Sequence, residues 1–270
     1  MDALKSIALL DSGVGGLTVV KEIFKQLPNE RIVYFGDTAR MPYGPRPHHE
    51  VRKFALQIME FLQTQDIKIL IVACNSASAA GLSFTRESSA LPVIGVIEPG
   101  VRAALAHTRN KRVGVIGTSG TINSRAYDKV IKKLDPEVKV FSQPCPLFVL
   151  IVENNLVNTP EAFKVAEEYL RPLKEAGVDA LIMGCTHYPL MEEVIQEVMG
   201  PQVRLISSAE ETAREAKEIL RKKKLLNPEE NNSSHHRFFV SASPSTFVEI
   251  GEKLINHKVN AYQVVLPDIT

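Results

Sequence analysis

No apolar run in the sequence approaches the roughly 20 residues that a membrane-spanning helix needs, so no membrane partner is expected. Cysteine is scarce as well, with three residues in 270 and none in a Cys-x-x-Cys pair. That usage argues against a disulfide framework and for free thiols in a reducing compartment. The first ten residues hold an apolar run too short for a signal-peptide core, without a cleavage site, and a cytoplasmic protein is expected. The run 231–234, Asn-Asn-Ser-Ser, offers glycosylation sequons that carry little weight without secretion. Excess charge of either sign is also missing. Lys and Arg total 32 against 31 Asp and Glu, so nothing calls for nucleic acid or an anionic surface as partner. With 44% apolar and 23% charged residues the composition is that of a folded globular chain. Its length admits one large or two medium domains.

What is present is a repeated strand ending. Residues 69–76, Ile-Leu-Ile-Val-Ala-Cys-Asn-Ser, run four apolar residues into a thiol followed by small polar side chains. The pattern returns at 180–187, Ala-Leu-Ile-Met-Gly-Cys-Thr-His. Each run reads as a buried strand with a cysteine at its carboxyl tip. Ligands of open parallel sheets bind outside those tips, so Cys74 and Cys185 would face one small molecule from opposite sides. Taken alone, Cys74 reads first as a small buried hydrophobe, the commonest fate of a free cysteine. A helix from Ala77 directly behind it would lower its pKa through the helix dipole. Cys185 has His187 two positions on. Half a zinc site is one reading, but no other ligand-spaced cluster accompanies it and no metal is expected. A thiol with a proton-handling neighbour fits better. Cys145 sits between prolines with no His or Asp beside it, and is read as structural.

Other loops have the same position in the pattern. Strand 6–10 ends in Asp11-Ser12-Gly13-Val14-Gly15-Gly16, followed by helical spacing from Leu17. This turn lacks the lysine of a phosphate-binding loop and opens with a carboxylate. Amide donors beside a carboxylate suit a ligand bearing both charges, such as an amino acid. Strand 31–35 leads to the stiff loop 41–47, which holds Tyr43 and Gly44 at low entropic cost; His48 and His49 are read as exposed residues opening the next helix. Strand 91–97 is broken by Glu98-Pro99-Gly100 before a helix at 101–107. Strand 112–116 ends in Gly117-Thr118-Ser119-Gly120-Thr121, a small polar loop like the first. An apolar run 147–152 meets Glu153, which is either a solvated edge or a functional acid. Residues 222–236 read as a solvated loop, followed by strand 238–241 and helix 245–255. Alternation of strands and helices predicts an α/β protein with mainly parallel sheets. Two similar doubly wound domains are expected, 1–97 plus 208–270 and 98–207, with the active site in the cleft between them.

The segments 11–18, 42–44, 74–76, 117–121 and 184–190 resemble those of the glutamate racemases, within the aspartate/glutamate racemase superfamily. The resemblance spans nearly the whole chain. It implies cofactor-independent interconversion of L- and D-glutamate, supplying D-glutamate to bacterial peptidoglycan. Cys74 and Cys185 would be the paired acid/base thiols, assisted by Asp11, Glu153 and His187. Asp11, Ser12, Tyr43, Gly44, Asn75, Ser76, Thr118, Thr121, Thr186 and His187 would bind substrate, and a homodimer is the expected assembly. Three positions depart from the pattern: Ser76 where threonine is usual, Ser207 in place of Asp, and Ala242-Ser243 in place of Gly-Asp. Aspartate racemisation is the alternative within the superfamily. A Cys-His hydrolase would leave Cys74 unexplained, and an amino-acid-binding protein would leave both thiols so.

Overall fold

The computed structural model describes residues 2–229 and 235–267, so the sequon run and part of the 222–236 loop lie outside the described residues. The chain alternates as β1 (Ser6–Asp11), α1 (Leu17–Gln26), β2 (Ile32–Gly36), α2 (His48–Gln63), β3 (Ile67–Val72), α3 (Asn75–Glu87) and β4 (Val93–Gly95). It continues through α4 (Ile97–His107), β5 (Arg112–Gly117), α5 (Ser119–Asn123), α6 (Ala126–Leu134), β6 (Lys139–Pro144), α7 (Leu147–Glu153), α8 (Pro160–Glu175) and β7 (Ala180–Gly184). After α9 (Glu192–Met199), β8 (Arg204–Ser207) and α10 (Ser208–Lys222) come β9 (Arg237–Val240), α11 (Pro244–Ile255) and β10 (Ala261–Gln263).

Two parallel sheets result, one ordered β10-β9-β2-β1-β3-β4 and the other β6-β5-β7-β8. Strands β1, β2, β3 and β7 are buried along their whole length, which is why they read as continuous apolar runs without alternation. Within each sheet the chain first adds a strand on one side and then crosses to the other. The order β2-β1-β3-β4 is therefore repeated as β6-β5-β7-β8. Pairing of Leu10 with Val72 and of Gly117 with Gly184 brings the loops after β1 and β3, and those after β5 and β7, side by side. These are the switch points at which open α/β sheets bind ligands.

Each sheet is covered on both faces by apolar clusters. The last part of the chain returns to the first sheet, where β9 pairs with β2, while α10 packs against both α1 and α4 and so joins the two halves. Several boundaries differ from the sequence reading: β4 is limited to Val93–Gly95 and α3 opens at Asn75. Helix α4 starts at Ile97 and includes Glu98-Pro99-Gly100. Proline is tolerated in a first turn because the amide it lacks has no intrahelical partner there. The run 147–153 is a short helix, and periodicity cannot separate a helix of that length from a buried strand. Among the departures, Ser207 caps α10 by accepting from the Ala209 amide at 3.4 Å, a role Ser and Asp fill equally.

At the amino edge of the first sheet, Lys68 is buried with its Nζ 2.5 Å from Glu30 Oε2. It donates to the Ala3 and Leu225 carbonyls, and Glu30 Oε1 accepts from the Asn227 amide at 2.9 Å. The pair ties the amino terminus and the segment after α10 to strand β3. Lys68→Met should lower stability by about 3–5 kcal/mol, because a buried carboxylate is left without its cation. Urea unfolding measures this, and Glu30→Gln in the same chain should recover part of the loss.

Candidate active site

Asp11 ends β1 at the floor of the site and is fully buried. Its Oδ2 accepts from the Gly13 and Gly16 amides at 3.0 and 3.1 Å, and its Oδ1 accepts from Thr186 Oγ1 at 3.3 Å. Two of the turn's amides thus serve the turn's own carboxylate, where the sequence reading assigned them to a ligand. An aspartate's short side chain folds back on the loop after it, as in an Asx turn. Burial raises the Asp11 pKa, opposed by His187 and by the two amides. Gly15 allows the opposite loop to close on it: a Cβ there would lie 2.5 Å from Thr186 Oγ1 and 2.8 Å from His187 Nδ1.

Cys74 is the residue before α3, with Asn75 and Ser76 in that helix's first turn. Its thiol lies 3.9 Å from Ser12 Oγ, and the Ala77 amide also points to it. The expected drop in its pKa is not found. Burial pushes the thiol well above the ordinary range, the Asp11 carboxylate adds to this, and the Ala77 amide compensates only in part. Removing a thiolate from water outweighs what one helix terminus returns.

Cys185 follows β7 directly. Its Sγ is 3.8 Å from His187 Nδ1, while His187 Nε2 is 2.5 Å from Glu153 Oε1 at the end of α7. Burial alone would lower the imidazole pKa, but Cys185 and Glu153 overcome it and raise it to about 10. The raised pKa favours the imidazolium, held between the Cys185 sulfur and the Glu153 carboxylate. Cys145 is buried against the Gln143 carbonyl and burial raises its pKa.

The two halves meet through polar contacts around these groups. Ser76 Oγ is 3.0 Å from Thr118 Oγ1 and 3.4 Å from Thr121 Oγ1. The Gly120 amide donates to the Gly44 carbonyl at 2.9 Å. His48, half-buried where exposure was expected, places Nε2 3.2 Å from the Gly120 carbonyl. The helix start at His48 lies against the other half's α5, a contact invisible in local sequence. Tyr43 donates its hydroxyl to Asp37, which also accepts from Arg40 Nε at 2.6 Å and Ser241 Oγ at 2.8 Å. This acid anchors the proline-rich loop, and no reading of the sequence gave it a role.

Cys74 and Cys185 line one cavity with Ser12, Tyr43, Gly44, Asn75, Ser76, Thr118, Thr186 and His187. Asp11, Thr121 and Glu153 stand behind it and act on residues that do line it. Val149 of α7 is a lining residue that the sequence reading passed over inside an apolar run. The cavity measures about 20 Å³, room for about one water, and the Ser76–Thr118 and Gly44–Gly120 contacts close over it. A cleft of about 1460 Å³ opens beyond Glu153, but neither thiol lines it. Ser76→Ala should raise KM for the cavity's ligand severalfold through loss of a neutral hydrogen bond of roughly 1 kcal/mol. Ser76→Thr should hold KM at or below wild type, since the added methyl restricts the hydroxyl's rotamers; steady-state kinetics on both variants checks this.

Two thiols thus stand at equivalent switch points of the two sheets and face one small cavity. Residues 9–216 match the family described as Asp/Glu/Hydantoin racemase. The chain belongs to that family and is an isomerase. Its similarity within the family is to glutamate racemases. That of Geobacter metallireducens is 51% identical over 263 residues, covering 97% of each chain. The crystal structure of a Bacillus anthracis glutamate racemase isoform gives a TM-score of 0.94 at 46% identity, covering 97% of this chain and 98% of that one. The Francisella tularensis glutamate racemase, solved in complex with D-glutamate, gives 0.90 at 40% identity with 97% and 98% covered.

Proposed function

We propose that the protein interconverts L- and D-glutamate without a cofactor, using Cys74 and Cys185 as a pair of acid and base. The observation that carries this reading is the placement of both thiols, from equivalent strand tips, on one cavity. The α-proton of an amino acid is very weakly acidic, so its removal needs a strong base, an acid opposite, and stabilisation of the carbanion. One thiolate takes the proton from Cα and becomes a thiol. The opposite thiol gives its proton to the other face and becomes a thiolate. Charge and protons balance, and the enzyme is left with the roles of its two sulfurs exchanged.

Donors around the cavity stabilise the charge that develops on the substrate carboxylate. Asn75, Ser76 and Thr186 offer side-chain donors, and Ser12 lies against Cys74. The imidazolium of His187 stabilises the thiolate form of Cys185 and is itself held by Glu153. Substrate enters as the bodies 1–97 plus 208–270 and 98–207 move apart. In the cell the product D-glutamate serves peptidoglycan synthesis, the enzyme acting in the cytoplasm as a homodimer.

The direct test is incubation of purified protein with L-glutamate, and separately with L-aspartate, followed by optical rotation. Loss of rotation with glutamate, undisturbed by chelator and by hydroxylamine, is the expected result. Activity with aspartate alone, or activity abolished by either reagent and restored by metal or pyridoxal phosphate, would overturn it.

A further inference from the structure

Asn75 presents two different atoms at the end of its amide, and only one orientation gives the substrate carboxylate a donor. Its Oδ1 accepts from the Tyr127 hydroxyl at 2.6 Å, and among the described residues its Nδ2 has no hydrogen-bond partner. Tyr127 belongs to α6 in the other half of the molecule and is 1% exposed. Ser208 Oγ lies beside the same hydroxyl, buried and without a hydrogen-bond partner of good geometry. The Tyr127 hydroxyl is itself the donor toward Asn75 Oδ1.

The ring of Tyr127 has a second contact. Gly184, the residue before Cys185, lies under it so closely that a Cβ would be 3.0 Å from Tyr127 Cε2. One rigid side chain thus rests on the backbone beside Cys185 and reaches the side chain beside Cys74.

We propose that Tyr127 is a positioning residue for racemisation, fixing the Asn75 amide so that Nδ2 faces the substrate and setting the spacing of the two cysteine-bearing strand tips. Without the phenol hydroxyl, the amide can turn its Oδ1 toward a bound carboxylate and repel it. The inference rests on the two-thiol reading above.

The test is Tyr127→Phe, which keeps the ring on Gly184 and removes only the hydroxyl. KM for glutamate should rise roughly tenfold, the order expected for one buried hydrogen bond, and kcat should fall as well, because the Asn75 amide also faces the charge that develops on the carboxylate. The same substitution in an Asn75→Ala background should then change KM by less than twofold. Wild-type kinetics in Tyr127→Phe, or an undiminished tenfold effect without Asn75, would overturn the proposal. Melting temperatures of all three variants separate these outcomes from unfolding. If wild-type protein itself fails to racemise glutamate, the functional reading fails, independently of this test.

Discussion

Cys74→Ser and Cys185→Ser should each lower glutamate racemisation by roughly 10²–10⁴-fold, the usual contribution of a positioned acid or base. Both directions should suffer, because each direction needs one sulfur as base and the other as acid. A single-base mechanism would require one group to reach both faces of Cα, which two thiols on separate sheets have no need to do. Deuterated solvent distinguishes the two cases. At initial rates, the D-glutamate formed from unlabelled L-glutamate should carry deuterium at Cα while recovered substrate stays largely protiated. The abstracting thiol returns its proton to the original face, and the opposite thiol delivers one already exchanged with solvent. By family resemblance Cys185 would deprotonate the L-enantiomer and Cys74 the D-enantiomer. Near-normal racemisation by Cys74→Ser would leave Cys185 and His187 as the working pair and sink the two-thiol mechanism.

The parts of this arrangement that sequence could show are those written into a short stretch of chain. Apolar runs ending in Cys74 and Cys185 are visible because a fully buried parallel strand leaves a continuous hydrophobic signature. The loops after β1 and β5 are visible because small polar residues must follow a strand that feeds a helix. Contacts across the halves are not, since Asn75 and Tyr127 lie 52 residues apart and Asp37 meets Ser241 across 204. Nothing local marks either pair. Helix α7 hid inside an apolar run for a different reason, its seven residues being too few for a period to show. The pKa of Cys74 departs from the expected direction because a helix terminus is legible in sequence and desolvation is not. Burial belongs to the assembled fold.

That same balance makes the pair of His187 and Glu153 a sensitive point. Burial works against the imidazolium, and it survives to about pH 10 through Cys185 and Glu153. The sign follows directly. A raised imidazole pKa keeps the cation present at all lower pH and loses it as pH climbs through about 10, so the alkaline limb of kcat/KM should fall there. Glu153→Gln removes the negative charge that helps hold the cation, and the limb should move to lower pH. A hydrogen bond to a charged group is worth about 1.5–3 kcal/mol, which is roughly one to two pH units of displacement. Glu153 is 18% exposed, and water screening places the shift toward the smaller figure. At pH 8 the loss should be greater in the direction that begins with Cys185 as thiolate, because that thiolate loses its facing cation. His187→Asn removes the cation at every pH, so its rate should fall roughly 10²-fold or more and its alkaline limb near 10 should vanish. Rate profiles from pH 6 to 11 in both directions give the measurement. An alkaline limb unmoved by Glu153→Gln would show that the carboxylate does not hold the imidazolium, and that Glu153 acts only at the edge of the outer cleft it lines.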